Sequence, residues 1–319
     1  MAVETLTENP KERFSWKSGI AAVFCCLLWG SAFPGIKIGY RLFAVASEDI
    51  GTQILFAGFR FALAGVLVLI FGSFKERRFL RVKRENVRKV LILGLFQTVL
   101  QYMLFYIGLA HASGVKASII EGANVFMAIL TASLVFRMEK LNLKKAAGCL
   151  VGFLGVILVN VGGNGLDTQM SFLGEGLVLL STVAYAISSV LIKRYSQDEN
   201  PVALSGWQFL SGGLFLMVCG LLAGGKLRPE SAGAGGILLY LAFVSAAAYT
   251  IWGILLKSCP VSQVSIFGFM TPVFGVLLSA VFLKEQDQAF GVKGMAALAL
   301  VCIGIFMVNK NTADYRIEE

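Results

Sequence analysis

Ten apolar segments follow one another along this chain, each close to the length that an α-helix needs to cross a bilayer. The hydrocarbon core is about 30 Å thick, so a spanning helix needs about 20 predominantly apolar residues. The predicted spans lie near 18–40, 52–74, 89–110, 114–136, 145–162, 172–195, 201–223, 234–257, 261–283 and 291–309. They are too long, and too rich in Leu, Ala and Gly, for the strands of a membrane barrel. The chain is therefore predicted to be an all-α integral membrane protein with ten transmembrane helices.

The composition excludes several soluble alternatives. Hydrophobic residues make up 57% of the chain and charged residues 15%, whereas a soluble domain carries about 25% charged residues. Much of the surface must therefore face an apolar medium, which disfavours disorder, a disulfide scaffold and a compact nucleic-acid-binding domain. The first segment, 18–40, is too long for a signal peptide and is interpreted as a retained span.

The distribution of basic residues predicts the orientation of the chain. With a cytoplasmic N-terminus, 20 of the 28 Lys and Arg residues fall on the cytoplasmic side and 6 on the outside. Cytoplasmic loops carry such an excess, so we predict a multi-pass protein of the plasma (inner) membrane with both termini cytoplasmic. Eight of the basic residues lie in the loop 75–89. A juxtamembrane basic loop explains them better than a nucleic-acid patch, and no nucleic-acid partner is expected.

The two halves of the chain resemble each other. The segment 134–160 corresponds to 280–309, since each contains an apolar helix, a Glu in the following turn and a Gly-bearing helix ending in Val-Asn. The motif FRFALAG at 59–65 likewise corresponds to WQFLSGG at 207–213. Five helices per half is an odd number, so the halves are predicted to be inverted relative to each other. Inverted repeats are typical of secondary transporters, whose substrate site lies near the membrane midplane between the repeats.

The repeat also predicts how the chain is divided. Two inverted five-helix repeats are expected, flanked by two short cytoplasmic tails. The boundaries are 1–17 for the N-terminal tail, 18–162 for the first repeat, 163–310 for the second repeat and 311–319 for the C-terminal tail.

Several motifs resemble those of one membrane-protein family. WGSAFPGIK at 29–37, FRFALAG at 59–65 and TPVFGVLLSAVFLKE at 271–285, together with the duplicated helix–Glu–helix unit, resemble the EamA branch of the drug/metabolite transporter superfamily. The resemblance implies a ten-helix inner-membrane carrier with inverted repeats, commonly an exporter of amino acids and related metabolites. The first half departs from the pattern, because it has Ala-Asn-Val-Phe at 123–126 where the second half has Thr-Pro-Val-Phe at 271–274.

Two ionisable residues of opposite charge lie inside the predicted spans. At about 1.5 Å per residue, Arg60 and Glu121 both lie roughly 10–12 Å below the outer ends of their helices. Ionisable groups at such depth are costly and are functional candidates by default. Two interpretations remain open. Arg60 and Glu121 bind the carboxylate and ammonium of a zwitterion, pairing with each other in its absence, or they form a permanent structural ion pair.

Further polar and aromatic residues are predicted to line the same cavity. Gln97 and Gln101 lie four residues apart on one helix face, and Trp29 and Tyr185 occupy equivalent positions in the two halves. The full set of additional candidates is Asn124, Gln97, Gln101, Tyr102, Trp29, Tyr185, Trp207, Gln208, Tyr249 and Trp252. For the amides, hydrogen bonding between helices is an equal alternative, and for Trp29 and Tyr185 the alternative is packing against lipid.

Four residues are candidates for gating or hinge roles. Pro34 and Pro272 interrupt helices of opposite halves, and Lys37 and Lys193 lie at the ends of equivalent helices near opposite membrane faces. Simple alternatives exist for both pairs. A proline can kink a helix without gating, and a long Lys side chain at a helix end extends to the lipid headgroups.

The sequence gives no support for enzymatic activity. It contains one His and no P-loop, and its six Cys residues lack metal-type spacing, so no cofactor, metal or disulfide is expected. We therefore predict a secondary-active transporter that works by alternating access. Its expected partners are the lipid bilayer, a small substrate such as an amino acid or similar metabolite, and protons as a candidate coupling ion. The alternatives are an exporter of organic cations or drugs and a membrane receptor or scaffold without transport.

Overall fold

The fold is a bundle of long apolar helices. The computed structural model describes residues 15–137, 141–160, 171–231, 233–258, 264 and 266–314, and the regular elements in these ranges are all helical. The main helices are α1 Trp16–Leu42, α2 Ile50–Glu76, α3 Arg84–His111, α4 Gly114–Val135, α5 Leu143–Asn160, α6 Phe172–Tyr195, α7 Pro201–Leu222, α8 Gly233–Ser258, α9 Met270–Leu283 and α10 Val292–Asp314. A short helix, Gln286–Phe290, joins α9 to α10.

Within the described ranges, eight helices, α1 to α8, are long and apolar enough to cross a membrane. The apolar stretches of the last two helices are shorter, at Phe267–Leu283 and Val292–Val308. An all-helical fold with membrane-capable helices is therefore confirmed, whereas the number of ten spans stays a prediction. Large apolar side chains such as Phe71, Phe215 and Ile303 are at least half exposed on the outside of the bundle. Such exposure is expected for surfaces that contact lipid.

Short polar residues start several helices. The side chain of Asp49 accepts a hydrogen bond from the backbone N–H of Thr52 at 3.0 Å, and Ser113 accepts one from Lys116 at 3.1 Å. Asn200 caps α7 in the same way and is followed by a proline at the first helical position. These side chains satisfy backbone N–H groups that have no partner within the helix. They explain why the loops between these apolar helices can be so short.

Helices α2 and α7 pack against each other in antiparallel directions along rows of glycine. A Cβ atom at Gly65 would overlap the backbone nitrogen of Leu210, and one at Gly213 would overlap the backbone nitrogen of Ala62. Further along the same interface, Gly58 faces Met217. Such backbone proximity requires glycine, because small residues let helices approach closely inside a membrane.

Helices α5 and α10 form a second antiparallel pair of the same kind. A Cβ atom at Gly155 would lie 2.7 Å from the carbonyl oxygen of Ala297. At the other end of the contact, a Cβ atom at Gly304 would lie 2.7 Å from the carbonyl oxygen of Gly148. The remaining helices pack between these two pairs. In this central region α1 contacts α8 and α9, and α6 contacts α3 and α4.

At one end of the bundle, the loop between α2 and α3 is tied to the loop between α6 and α7. The carboxylate of Glu199 accepts hydrogen bonds from the backbone of Lys83 at 3.0 Å and from Asn86 at 2.7 Å. Lys89 forms an ion pair of 2.7 Å with Asp198. We call these five residues the loop clasp. It joins the first half of the chain to the second.

At the opposite end, the turn between α3 and α4 is held by acidic side chains. Glu285 accepts hydrogen bonds from the backbone N–H groups of Gly114 and Val115 at 3.1 and 2.8 Å. Lys116 forms an ion pair of 3.1 Å with the buried Glu175. A carboxylate at the N-terminus of α4 satisfies its first N–H groups and interacts favourably with the helix dipole. These contacts close this end of the bundle around the start of α4.

Candidate functional site

Arg60 is buried in the middle of the bundle, about 15 Å from the start of α2 at a rise of about 1.5 Å per residue. Its side chain is 3% exposed. Nε donates to the carbonyl oxygen of Leu241 and to the hydroxyl of Ser245, both at 3.2 Å, and Nη1 donates to the hydroxyl of Tyr106 at 2.7 Å. The ring of Phe61 lies 5.0 Å from the guanidinium carbon. Helix α8 of the second half therefore holds a charge carried by α2 of the first half.

Some N–H donors of the Arg60 guanidinium have no acceptor among the described residues. Arg60 can donate five hydrogen bonds, and its contacts to described residues use only Nε and Nη1. No carboxylate lies within ion-pair distance of it in the described part of the chain. An anionic group would find both charge and unused N–H groups here.

Glu121 ends the first segment of α4. One carboxylate oxygen, Oε1, accepts a hydrogen bond of 2.5 Å from Asn124. The other, Oε2, is buried and has no hydrogen-bond partner. Neither Lys nor Arg pairs with this carboxylate among the described residues. A buried oxygen of this kind is costly, so Glu121 carries an unused acceptor.

The predicted direct pairing of Arg60 with Glu121 is not present in this conformation. Phe61, next to Arg60 in the sequence, instead packs on Tyr102 with ring centroids 4.0 Å apart. The physical reason is that Arg60 already donates to Tyr106, Ser245 and a backbone carbonyl, which turns the guanidinium toward α8. Arg60 and Glu121 therefore do not form an ion pair with each other in this structure.

Four of the predicted aromatic residues form one cluster between the halves. Trp29 of α1 lies edge-on to Tyr249 and Trp252 of α8, with ring centroids 5.6 and 5.1 Å apart. The hydroxyl of Tyr249 lies 3.0 Å from that of Tyr102 in α3. Tyr185 of α6, the predicted equivalent of Trp29, is half-buried. The cluster joins residues that are far apart in the sequence.

The predicted amides bring unsatisfied polar atoms to this region. Gln97, Gln101 and Gln208 are buried, and each has one side-chain oxygen or nitrogen without a hydrogen-bond partner. Asn124 has another. Together with Glu121, the predicted site residues account for five of the nine such atoms among the described residues. Native proteins rarely leave buried polar atoms unpaired, so their concentration here indicates a place that a ligand or water would complete.

Helical irregularities coincide with these residues. The segment Leu95–Leu100, which contains Gln97, is π-helical within α3. Helix α4 is interrupted between Glu121 and Ala123, next to the unpaired carboxylate. Single π-helical turns inside α-helices are frequent at functional sites.

In the structure Trp207 contacts the segment that follows α2 rather than the aromatic cluster, and its role in the site stays a prediction. Its indole nitrogen donates to the carbonyl oxygen of Leu80 at 2.9 Å, and its ring packs against Phe79. It lies at the end of the bundle that holds the loop clasp. The physical reason is helix geometry, because consecutive residues point in directions about 100° apart. Gln208 faces Thr98 of α3, which donates to its side-chain oxygen at 2.5 Å, whereas Trp207 packs near Val90 and Leu93 at the start of α3.

The four candidate gating residues have different surroundings. Lys37 donates to the carbonyl oxygen of Ala112 at the end of α3, whereas Lys193 is exposed. Pro34 is buried within a continuous α1, and Pro272 lies in the first turn of α9, directly after a short 3₁₀ segment. A basic group at a helix C-terminus stabilises the unpaired carbonyls there, so Lys37 does more than extend to the headgroups.

Three residues of the site were not predicted from the sequence. Tyr106 and Ser245 bind the guanidinium of Arg60, and Phe209 stacks on Phe61 at 5.4 Å. Tyr106 lies one helical turn after Tyr102, and Ser245 one turn before Tyr249. The spacing of four residues to a predicted site residue is the signal that would have found them.

Comparison with known proteins identifies the relatives of this chain. The model of the EamA-like transporter family matches residues 16–161 and 172–310. An uncharacterised transporter of Archaeoglobus fulgidus is 27% identical over 300 residues, which cover 92% of this chain and 98% of that protein. A probable amino-acid metabolite efflux pump of Salmonella typhimurium is 28% identical over 317 residues, covering 95% and 97%.

A solved crystal structure shares the fold with a TM-score of 0.64 and 17% identity, covering 95% of this chain and 99% of that one. The relatives are named as transporters or efflux pumps, and the helices form a multi-pass membrane fold. The protein is thus a membrane transporter rather than an enzyme, and it belongs to the EamA-like transporter family.

Proposed function

We propose that this protein is a secondary-active exporter of amino acids or closely related zwitterions, working by alternating access from the cytoplasmic side of the plasma (inner) membrane. The single observation that carries the substrate class is the presence inside the bundle of two opposite charges, Arg60 and Glu121, that have no ion-pair partner among the described residues. The relative in Salmonella typhimurium that is named for amino-acid metabolite efflux supports the direction.

The proposed inverted repeat is supported by reciprocal helix contacts. If residue i of α2 is equivalent to residue i+148 of α7, as the FRFALAG and WQFLSGG motifs align, then Gly65 corresponds to Gly213 and Ala62 to Leu210. Gly65 contacts Leu210, and Gly213 contacts Ala62. A two-fold axis requires this exchange of partners.

The second helix pair repeats the pattern. Aligning the Val-Asn ends of α5 and α10 makes Gly155 equivalent to Gly304 and Gly148 equivalent to Ala297. Gly155 contacts Ala297, and Gly304 contacts Gly148. Both antiparallel pairs thus support two halves related by an axis in the membrane plane, with the first repeat at 18–162 and the second at 163–310. The site lies between these halves, as in other inverted-repeat transporters.

Zwitterion binding follows from the charges and the unsatisfied atoms. A carboxylate would take the unused N–H groups of Arg60, and an ammonium would donate to Glu121 Oε2 and to nearby amide oxygens. The aromatic rings of Trp29, Tyr249 and Trp252 would surround the side chain of the substrate. Binding would therefore pair two charges that the protein leaves apart.

Alternating access is supported by the difference between the two ends of the bundle. Near the α3–α4 turn, α4 packs tightly on α9, where Ser118 would meet any Cβ atom at Gly275. Toward the opposite end, Asn124, Tyr249 and Trp252 are half-exposed. We infer a conformation that is closed at the outer end and accessible from the cytoplasm. Lys37, Lys193, Pro34 and Pro272 remain candidates for the change to the other conformation.

The test is transport by purified protein in liposomes that are loaded with a labelled amino acid. The panel contains aromatic and aliphatic amino acids, together with the amine and the carboxylic acid that correspond to each. Export of an amino acid without export of its amine or its acid is expected, because both charges of the zwitterion are recognised. Absence of flux for every member of the panel would contradict the substrate class.

Matched variants test the assigned roles. Glu121→Gln is expected to remove amino-acid export, whereas Glu48→Gln, the same change at an exposed position, is expected to leave it unchanged. An imposed proton gradient separates coupling from binding. If Glu121 carries the proton without binding the substrate, Glu121→Gln abolishes gradient-driven accumulation but spares exchange of amino acid across the membrane. Loss of exchange as well indicates that Glu121 binds the ammonium.

A second substrate class is favoured by one observation. Glu121 has no Lys or Arg partner among the described residues, and several residues of the proposed site are aromatic, a combination that suits organic cations. Export of a quaternary ammonium compound that is lost in Glu121→Gln and retained in Arg60→Gln would identify this alternative.

A further inference from the structure

The segment 75–89 runs from the end of α2 into the first turns of α3, and we call it the α2–α3 loop. It carries a concentrated positive charge that the transport site does not use. Between residues 75 and 89 there are eight basic and two acidic residues. The basic residues are Lys75, Arg77, Arg78, Arg81, Lys83, Arg84, Arg88 and Lys89. All except Lys89 are exposed. Such a density exceeds what is needed to orient the neighbouring spans.

Few of these charges are neutralised within the protein. In the described ranges, Arg78 pairs with Glu76 at 3.7 Å and Lys89 pairs with Asp198 at 2.7 Å. The charged side-chain nitrogens of the other six have no carboxylate oxygen within 4.0 Å among the described residues. Arg81 lies over the ring of Phe79 at 5.7 Å. The surface is therefore electropositive and open to an anionic partner.

The loop is held in place, so its charges have defined positions. Leu80 is buried, and its backbone N–H donates to the hydroxyl of Ser73 at 3.0 Å while its carbonyl accepts from Trp207 at 2.9 Å. The loop clasp fixes the segment that follows. The backbone that carries the exposed Arg side chains is thus held in place, and each guanidinium can bind a phosphate with two parallel hydrogen bonds.

Apolar residues beside the charges identify the kind of anion. Phe71, Phe74 and Phe79 are 62%, 85% and 57% exposed. Phe74 is next to Lys75 and lies at the end of a membrane-capable helix. Large apolar side chains on this surface would enter the acyl region while the neighbouring cations meet the headgroups. A nucleic acid would leave these rings in water.

We propose that the α2–α3 loop is a binding site for anionic phospholipid headgroups at the membrane surface. Arg81, Arg84 and Arg88 bind the lipid phosphates, and Phe74 and Phe79 contact the acyl chains. The site is distinct from the central transport site and does not depend on its substrate. Because the loop clasp joins this loop to the second half of the chain, bound lipid would also stabilise the contact between the two halves.

The experiment measures lipid binding to the detergent-purified full chain by native mass spectrometry. Phosphatidylglycerol is compared with phosphatidylcholine of the same acyl composition, with inorganic phosphate and with a short DNA duplex as further arms. We expect phosphatidylglycerol to bind at least about tenfold more tightly than phosphatidylcholine, with an affinity that falls as salt increases. Equal binding of the two lipids, or tighter binding of DNA than of phosphatidylglycerol, would overturn the proposal, as would full saturation by inorganic phosphate alone.

Three sets of variants locate the site. Arg81→Gln/Arg84→Gln/Arg88→Gln is expected to lower phosphatidylglycerol affinity about tenfold or more. Lys226→Gln/Arg228→Gln/Lys284→Gln removes the same charge from exposed positions at the other end of the bundle and is expected to leave the affinity unchanged. Arg81→Lys/Arg84→Lys/Arg88→Lys keeps both the charge and the loop and should retain most of the preference. An equal loss in the two Gln variants would refute the assignment to this loop. Because binding is measured without transport, the result is independent of the proposed function.

Discussion

The glycine-lined helix pairs and the polar centre of this transporter follow opposite rules. In the α2–α7 and α5–α10 interfaces, glycines face the backbone of the partner helix, and the contacts described above occur in pairs that the proposed repeat would exchange. In the centre, Arg60 of α2 stands where α7 has Gln208, and Glu121 of α4 stands where α9 has Phe269. The periphery is nearly symmetric, whereas the charges are confined to the first half.

The difference also extends to hydrogen bonding. The helix pairs need no side-chain partners, while the centre holds most of the amide and carboxylate atoms that lack one. Unsatisfied groups persist where function requires them and where the surrounding structure is rigid enough to hold them. The helix pairs therefore stabilise the fold, whereas the unsatisfied polar atoms of the centre destabilise it.

The largest effect is expected from breaking a helix pair. Gly65→Leu would force a side chain into the backbone of Leu210, so α2 and α7 would have to separate. We expect a loss of at least about 3 kcal/mol in the free energy of unfolding, the upper end of ordinary overpacking costs. The measurement is thermal unfolding in detergent, together with the yield of monodisperse protein.

Two further variants show whether the effect is specific to the α2–α7 helix pair. Gly213→Leu occupies the reciprocal position and is expected to be as damaging as Gly65→Leu. Gly236→Leu makes the same change where a Cβ atom meets nothing within 4 Å and should unfold like the wild type. A strong difference between the Gly65 and Gly213 variants would argue against a two-fold relation.

The next largest effect comes from making the centre symmetric. Arg60→Gln gives α2 the residue that α7 has at the equivalent position, and it removes the charge that would bind a carboxylate. Hydrogen bonds to charged groups contribute about 1.5–3 kcal/mol, so substrate affinity should fall about 10- to 100-fold. The affinity is measured by the concentration dependence of export from liposomes.

Arg228→Gln provides the control for lost charge, because Arg228 is exposed. It should export with wild-type affinity. If Arg60→Gln also retained wild-type affinity while Glu121→Gln did not, the carboxylate would not be bound by Arg60 and the organic-cation alternative would gain support.

A smaller effect of opposite sign is expected from an unsatisfied amide. Gln97→Leu removes a buried oxygen that has no partner and keeps a similar volume. Recovering the desolvation penalty should raise the free energy of unfolding by about 1 kcal/mol, while export falls because the site loses a polar contact. Higher stability with lower transport separates a functional amide from a structural one.

Thr98→Val is the matched change at the next position. The hydroxyl of Thr98 donates to Gln208 at 2.5 Å, so its removal should lower stability by about 1–3 kcal/mol. Destabilisation by both variants would mean that Gln97 has a structural partner and would remove it from the proposed site.

The sequence predicts the helices better than it predicts their side-chain neighbours. The apolar segments and their flanking polar residues place the helices within a few residues, because hydropathy and capping are local properties. Arg60 and Glu121 stand out because charges inside apolar segments are rare. The ninth predicted span, 261–283, fits less well, because α9 begins at Met270 after a short 3₁₀ segment, and residues 261–263 and 265 lie outside the described residues.

Contacts between helices were the part that the sequence could not supply. Trp207 and Gln208 are adjacent in sequence but point to different neighbours. Tyr106 and Ser245 lie four residues from predicted site residues, but this spacing alone does not show which group their hydroxyls contact. Lys37 and Lys193 occupy equivalent positions, yet only Lys37 reaches the carbonyl oxygen at the end of α3. Each of these outcomes depends on which helix face meets which, a property of the assembled bundle.

The smallest effect concerns the loop clasp, which joins the halves outside the membrane. Lys89 lowers the pKa of Asp198 below its ordinary value of 3.8, through a hydrogen bond and its charge. Because the folded-state pKa is lowered, this ion pair stabilises the protein above the ordinary pKa, and the contribution is lost as the pH falls through the lowered value. Asp198→Asn should therefore unfold at a slightly lower temperature than the wild type near about pH 7, with the difference disappearing below about pH 3 and narrowing at high salt.

The control is Glu230→Gln, which alters an exposed acid outside the clasp and should follow the wild type at each pH. A gap for Asp198→Asn that stayed constant into strong acid would show that the side chain acts through packing, and the clasp would then belong with the symmetric helix pairs rather than with electrostatic contacts.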